Sequence, residues 1–145
     1  MASIEAIRDG IKATLEAAIP GLTVYDTVPS ATNLPAVVVI PRTGSFEPGM
    51  GLGVDDTYQF DLDVLCSAAV SRLGQDSLDA LISGAGPRSI RKAVHDSRDS
   101  RGDALGLVNC KVHVRGWGRY GTGFEGAGIA HVGAVVRLEV VVSAA

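Results

Sequence analysis

The feature that most constrains this chain is a strict two-residue alternation in DDTYQFDLDVLCS, residues 55–67. Tyr58, Phe60, Leu62, Val64 and Cys66 fall on one side of an extended backbone. Gln59, Asp61 and Asp63 fall on the other, with Leu65 the apolar exception. That period belongs to a strand with one buried face. Two later stretches repeat it. Val108, Cys110, Val112 and Val114 alternate with Asn109, Lys111, His113 and Arg115; Ala134, Val136, Leu138, Val140 and Val142 alternate with Val135, Arg137, Glu139, Val141 and Ser143. Three strands, each with one wet face, predict an α+β fold in a single domain spanning residues 1–145: a mainly antiparallel sheet with helices packed on one face.

The helices are legible from their caps and stripes. Ser3 can cap a helix running to about Ala18, whose apolar stripe is Ile4, Ile7, Ile11, Leu15 and Ile19. Pro20 and Gly21 end it. Leu22 to Tyr25 reads as a short strand. Residues 36–40, AVVVI, lack a wet face and predict a strand covered on both sides, closed by Pro41. Residues 71–83 predict a helix with Leu73, Leu78, Leu81 and Ile82 inside, and Pro87 and Ser89 can start a short one with Ile90, Ala93 and Val94 inside. Residues 96–106 read as loop. A strand follows over about 107–115, and the last over about 129–142.

Two long glycine-rich loops complete this reading: residues 42–54, RTGSFEPGMGLGV, and residues 116–128, GWGRYGTGFEGAG. Loops of that length inside one domain are usually functional or disordered. The first carries Phe46, Met50 and Leu52, and the second Trp117, Tyr120 and Phe124. Large apolar side chains grouped on loops suggest a contact surface with a subunit or partner. The alternative is that the loops fold back and bury them over the sheet.

Charge and composition narrow the function classes. A net charge of −3 argues against a dedicated nucleic-acid binder. No apolar run approaches the roughly 20 residues of a membrane helix. The N-terminal MASIEAIRDG has early acids and no apolar core of a signal peptide. Cys66 and Cys110 both fall on buried strand faces; reduced core thiols are the favoured reading, with a cross-strand disulfide as the other.

Motifs for chemistry are weak. Gly49, Gly51 and Gly53 precede a strand, whereas a phosphate-cradling fingerprint follows a strand and opens a helix. Asp61 and Asp63 share a wet face but have no third ligand at a motif spacing. His95, His113 and His131 have no zinc spacing between them. No catalytic residue, metal ligand or cofactor site is assigned.

The order of these pieces resembles the tail terminator, or tail-to-head joining, proteins of long-tailed bacteriophages of the siphophage type. The likeness rests on Ile19-Pro20-Gly21-Leu22, then Val24-Tyr25-Asp26 with Val28-Pro29, and Leu34-Pro35-Ala36-Val37-Val38-Val39. It continues through the alternating strand, Gly74-Gln75 with Leu78-Asp79 and Leu81, Gly86-Pro87-Arg88-Ser89-Ile90, and the final strand after a glycine-rich loop. It covers nearly the whole chain, and its motifs are fold signals without chemistry. The resemblance implies a non-enzymatic virion protein, without a cofactor, assembled in the host cytoplasm and placed at the head-proximal end of the tail. It implies a homo-oligomeric ring, usually a hexamer, that caps the tail tube protein, ends its polymerisation and meets the head-tail connector, with DNA passing through the lumen. Another neck or tail-completion protein and a small ligand-binding α+β domain remain the alternatives. The second would need Asp61, Asp63 and His113 to meet around one cavity.

Overall fold

The computed structural model describes residues 2–25, 35–47, 55–67, 71–121 and 131–143. Its spine is the alternating stretch, strand β3 (Asp55–Ser67). Helix α1 (Ile4–Ala18) precedes it, with strands β1 (Thr23–Tyr25) and β2 (Ala36–Glu47); helices α2 (Ser71–Ile82) and α3 (Ile90–Asp96) and strands β4 (Cys110–Gly121) and β5 (His131–Ser143) follow. The five strands form one sheet in the order β1-β2-β3-β5-β4. β1 pairs with β2 in parallel, and every other pairing is antiparallel. The expected α+β architecture is therefore present, with one parallel edge pair that makes the sheet mixed.

The helices form where the capping signals place them. The Ser3 hydroxyl accepts the Ala6 N–H at 3.1 Å, and the Ser89 hydroxyl accepts the Lys92 N–H at 3.2 Å. Each satisfies a first-turn donor that the helix itself leaves open. Ser89 is buried, and its own O–H donates to the Ser83 carbonyl, which ties α3 to the end of α2.

The core lies between the helices and one face of the sheet. Ile7, Ile11 and Leu15 of α1, Leu78 and Leu81 of α2, and Ile90 and Val94 of α3 meet Phe60, Leu62 and Val64 of β3 and the even-numbered residues of β5. Ile4 does not join the α1 stripe and stays 39% exposed at the helix start. The side chain of Leu73 lies outside the described residues. Gly10 has a packing reason for its place inside α1: a methyl group there would come within 3.0 Å of the Leu105 carbonyl oxygen. Glycine's helix cost of about 1 kcal/mol is offset by this close approach.

Of the apolar run 36–40, residues 36–39 are buried as predicted, while Ile40 is only half-buried. Val37 and Val39 face the helices, while Ala36 and Val38 lie on the other face. There they stand in register with Leu65 and Asp63 of β3, and Val135 of β5 follows Asp63 across the sheet. Leu65 and Val135 are buried as well. Leu65, the exception in the alternation, thus belongs to a short apolar zone where the second face is also closed.

Cys66 and Cys110 are both buried and free. Cys66 is level with Val132 and Cys110 with Val142, at opposite ends of β5, so no disulfide joins them. Burial pushes both thiols up to about 11.

Three boundaries differ clearly from expectation. Residues 42–47 and 116–121 are strand, not loop. β2 continues past Pro41 through an irregularity between Pro41 and Thr43, because β3 runs on to Asp55 and supplies a partner for every residue but Arg42. β4 likewise continues through two irregularities, between Val114 and Gly116 and between Gly118 and Gly121. Conversely, residues 107–109 precede the strand: Val108, expected on its buried face, is in a turn and 67% exposed, and Asn109 has φ 53°, a left-handed conformation that asparagine tolerates better than most residues.

Candidate functional site

The sheet face away from the helices is built by the odd-numbered residues of β3 and β5, and it carries a row of paired charges. Strands β2 and β4 each contribute an arginine at a β-bulge. Arg42 sits in the irregularity of β2 and donates from Nε to Asp61 Oδ2 of β3 at 2.7 Å. Arg115 sits in the first irregularity of β4 and grips Glu139 of β5 with two bonds, Nη2 to Oε1 at 2.8 Å and Nε to Oε2 at 3.1 Å. The two bulges lie at one level of the sheet, since Pro41 aligns with Phe60, Phe60 with Leu138 and Leu138 with Val114. Arg137 stands between the pairs, in register with Asp61. A bulge adds one residue to a strand and re-aims its side chain. Here each bulge turns a basic side chain inward onto an acid of the next strand.

The electrostatics follow the pairing. Hydrogen bonding to Arg115 holds the Glu139 carboxyl below its ordinary value, and the Arg115 guanidinium is raised in turn. Arg42 is raised by its bond to Asp61. On Asp63, one step along β3, the Oδ1 atom is buried without a hydrogen-bond partner among the described residues. Its carboxyl is pushed up, first by burial and then by the charge of Asp61.

Of the six residues expected to form a contact surface, three are described. Trp117 and Tyr120 lie on β4, 50% and 39% exposed, with ring centroids 5.9 Å apart. The Tyr120 hydroxyl donates to Asp79 Oδ1 of α2 at 2.8 Å, which ties the end of the edge strand to the helix layer. Phe46 lies on β2 at the other side of the sheet, 68% exposed and edge-to-face with Tyr58 at 6.2 Å. Met50, Leu52 and Phe124 lie outside the described residues. The aromatic residues therefore do not converge. They mark the two opposite edges, Phe46 on β2 and the Trp117–Tyr120 pair on β4.

The ligand-pocket arrangement is not formed. Asp61, Asp63 and His113 share the open face, but His113 lies on β4, separated from β3 by β5. A shallow hollow of about 200 Å³ on this face is lined by Gln59, Asp61, Arg115, Arg137 and Glu139, without Asp63 or His113. A larger cavity of about 410 Å³ lies elsewhere, between α1 and α3, where Thr14, Ala17, Ser89 and Lys92 line it. Among the described residues, no group of three metal-ligating side chains forms, and no helix is long and apolar enough to cross a membrane.

Sequence reasoning placed Asp61, Arg137, Glu139 and Arg115 on wet faces without joining them into a row. The signal was present: opposite charges on neighbouring antiparallel strands stabilise one another when the register sets them side by side. The register itself was not legible. Comparison of the sequence with protein-family models and with curated proteins finds no match in either.

Proposed function

We propose that this chain is a structural assembly protein of the tail-terminator kind, a ring subunit that caps a phage tail tube, ends its polymerisation and offers a surface for joining tail to head. The observation that carries the reading is the placement of exposed aromatic side chains on both opposite sheet edges. A ring subunit meets one neighbour on each of two different sides, through heterologous contacts that close by rotation. A protein with Phe46 on one edge and Trp117 and Tyr120 on the other has a distinct surface for each neighbour. The resemblance in the order of helices and strands supplies the biological setting, the hexameric count and the tube and connector partners.

The test begins with the mass of the purified protein by light scattering across a concentration series. Six chains of 15.0 kDa predict a species of about 90 kDa. Purified tail tubes supply the functional readout: added protein should bind one end and stop further growth. Trp117→Ala should weaken assembly and leave the fold intact. Tubes that elongate normally in the presence of the protein would sink the terminator reading. Binding to filled heads instead of tubes would move the protein to the connector side of the neck.

A further inference from the structure

Neither edge of the sheet is open along its whole length, and the two are closed at opposite ends. β1 pairs with residues 36–38 of β2 and stops there. Residues 39–47 of β2 have β3 on one side and, among the described residues, no strand on the other. On β4 the start is closed. The Cys110 carbonyl accepts the Ala104 N–H at 2.8 Å, and the Val112 carbonyl accepts Arg98 Nη2 at 3.0 Å. Residues 114–121 carry no such cap from a described backbone group.

The two uncapped half-edges differ in charge once the strand behind β2 is counted, although Arg115 and Asp61 are each already paired within the subunit. Residues 114–121 of β4 contain Arg115 and Arg119 and no acid. The hairpin half made of residues 39–47 and 55–63 contains Glu47, Asp55, Asp56, Asp61 and Asp63 against Arg42 alone. Phe46, Trp117 and Tyr120 all lie on these same two half-edges.

We infer that the ring contact of the proposed assembly is a β-sheet junction between copies of this chain, with residues 114–121 of one subunit adding in antiparallel fashion to residues 39–47 of the next. This rests on the ring reading and specifies its interface. The antiparallel sense follows from topology: along the order β2-β3-β5-β4 each strand reverses, so β4 runs opposite to β2 and a head-to-tail repeat sets them antiparallel. The capped ends then fit. β1 and the end of the neighbour's β4 share the β2 edge end to end, and the Arg98 and Ala104 caps lie beyond it.

The stagger of the half-edges gives an internal check. The centre of residues 39–47 is Thr43, while the centre of residues 114–121 lies level with β2 near Val38 and Val39, through Asp63 and Val135 and through Leu62 and Val136. Because Arg42 is the extra residue of a bulge, setting Thr43 beside Gly118 closes about four residues counted along β3, from Gln59 to Asp63, and shifts the neighbour by roughly 13 Å along the strands. Four strands per subunit span about 19 Å across the sheet. The implied strand tilt is about 35°, at the lower end of the range of roughly 35–45° that closed sheets adopt. Pro41 and the bulges are devices by which natural edges resist indiscriminate pairing. They limit what can add here to a strand that matches the irregular edge.

Disulfide trapping tests the junction. The centred pairing sets Thr43 beside Gly118, and both lie on the open face, in register with Gln59 and Val135 respectively. A Cβ at Gly118 meets nothing within 4 Å. Native Cys66 and Cys110 are buried and stay silent. Thr43→Cys with Gly118→Cys in one chain should give a covalent ladder under mild oxidation, ending at the closed ring. Mixing the two single variants should give one covalent dimer, and either single variant alone should give none. Ser45→Cys with Gly118→Cys covers a register two residues away, and circular dichroism confirms that each variant folds. The reactions are run in solution and on tube ends. Dimers from one single variant alone, or no cross-link from either double variant in both settings, would overturn the junction. Wild-type protein that caps tubes while the double variants fail to cross-link would remove the junction and keep the terminator reading. Cross-linked rings that ignore tubes would do the reverse.

Discussion

The two faces of this sheet use the same alternating sequence for different purposes. On the covered face, Phe60, Leu62, Leu138 and Val140 are buried against three helices. On the open face, Arg42, Asp61, Arg137, Glu139 and Arg115 make a row of charges that stays in solvent reach. Apolar burial contributes about 25 cal/mol per Å² and does not depend on direction. Exposed ion pairs contribute little to stability but demand geometry. The covered face therefore carries most of the folding free energy, and the open face fixes the two bulges that shape the edges.

The sharpest way to break this division is Phe60→Ala. Phe60 is fully buried at the middle of the central strand, so truncation leaves a cavity between the sheet and the helices. The expected loss is about 3–5 kcal/mol in denaturant unfolding. A loss below about 1 kcal/mol would mean that the core does not hold the sheet as its burial implies.

Gly74→Ala sharpens the same point at the helix layer. A methyl group on Gly74 of α2 would run into the Ser67 carbonyl oxygen at the end of β3. Alanine favours a helix by about 1 kcal/mol, but overpacking against backbone costs about 1–3 kcal/mol. The net expectation is destabilisation, read as a lower midpoint in urea. A higher midpoint would show that α2 can shift away from β3 freely.

Asp63→Asn tests the open face at a half-buried carboxylate beside its apolar zone. Burial and the neighbouring Asp61 raise the Asp63 carboxyl, against the weaker opposing pull of Arg42 and Arg119. A folded-state value raised above the unfolded one means that the folded chain holds this proton to higher pH. Its contribution to stability is full below the ordinary carboxylate value and is lost as pH rises through the raised value. Ionising Asp63 therefore costs the folded chain stability. Asp63→Asn should be more stable than wild type at pH 7, and the gap should narrow as the pH falls through the carboxylate range. A gap that widens on acidification would reverse the assignment.

How much of this was legible varies with how local the cause is. The starts of α1 and α3 were readable because a serine hydroxyl three residues from an N–H is a local device. The faces of β3 and β5 were readable because each residue's neighbours fix its side. Residues 42–47 were misread because Pro41 and Gly44 are local signs of a break, whereas the cause of the strand is non-local: β3 extends to Asp55 and needs a partner of equal length. The length of β3 was visible, so the extended partner could have been inferred. Residues 116–121 were misread for the same reason, with Gly116, Gly118 and Gly121 masking a strand that β5 holds in place. The charge row was half visible, since its members were assigned to wet faces, but joining them required the register of four strands and two bulges. The edge placement of Phe46, Trp117 and Tyr120 required the strand order, which no local pattern contains.

The smallest expected effect belongs to the charge row. Arg42 and Arg115 are 49% and 58% exposed, so water and salt screen both pairs. Arg42→Gln and Arg115→Gln should each move the melting temperature little, and what they do move should shrink in high salt. The two should still differ. Arg115 holds Glu139 through two bonds in the planar, forked geometry that suits a carboxylate, while Arg42 makes one bond to Asp61. Double-mutant cycles with Glu139→Gln and Asp61→Asn should therefore rank the Arg115 pair above the Arg42 pair. Assembly is where both should register, because each arginine anchors a bulge that aims its edge. If either pair proved as important to stability as Phe60, the open face would be part of what holds the chain folded, and the division between the two faces would fail. If removing both left stability and assembly unchanged, the bulges would hold their shape through the backbone alone, and the row would be a consequence of the edges and not their support.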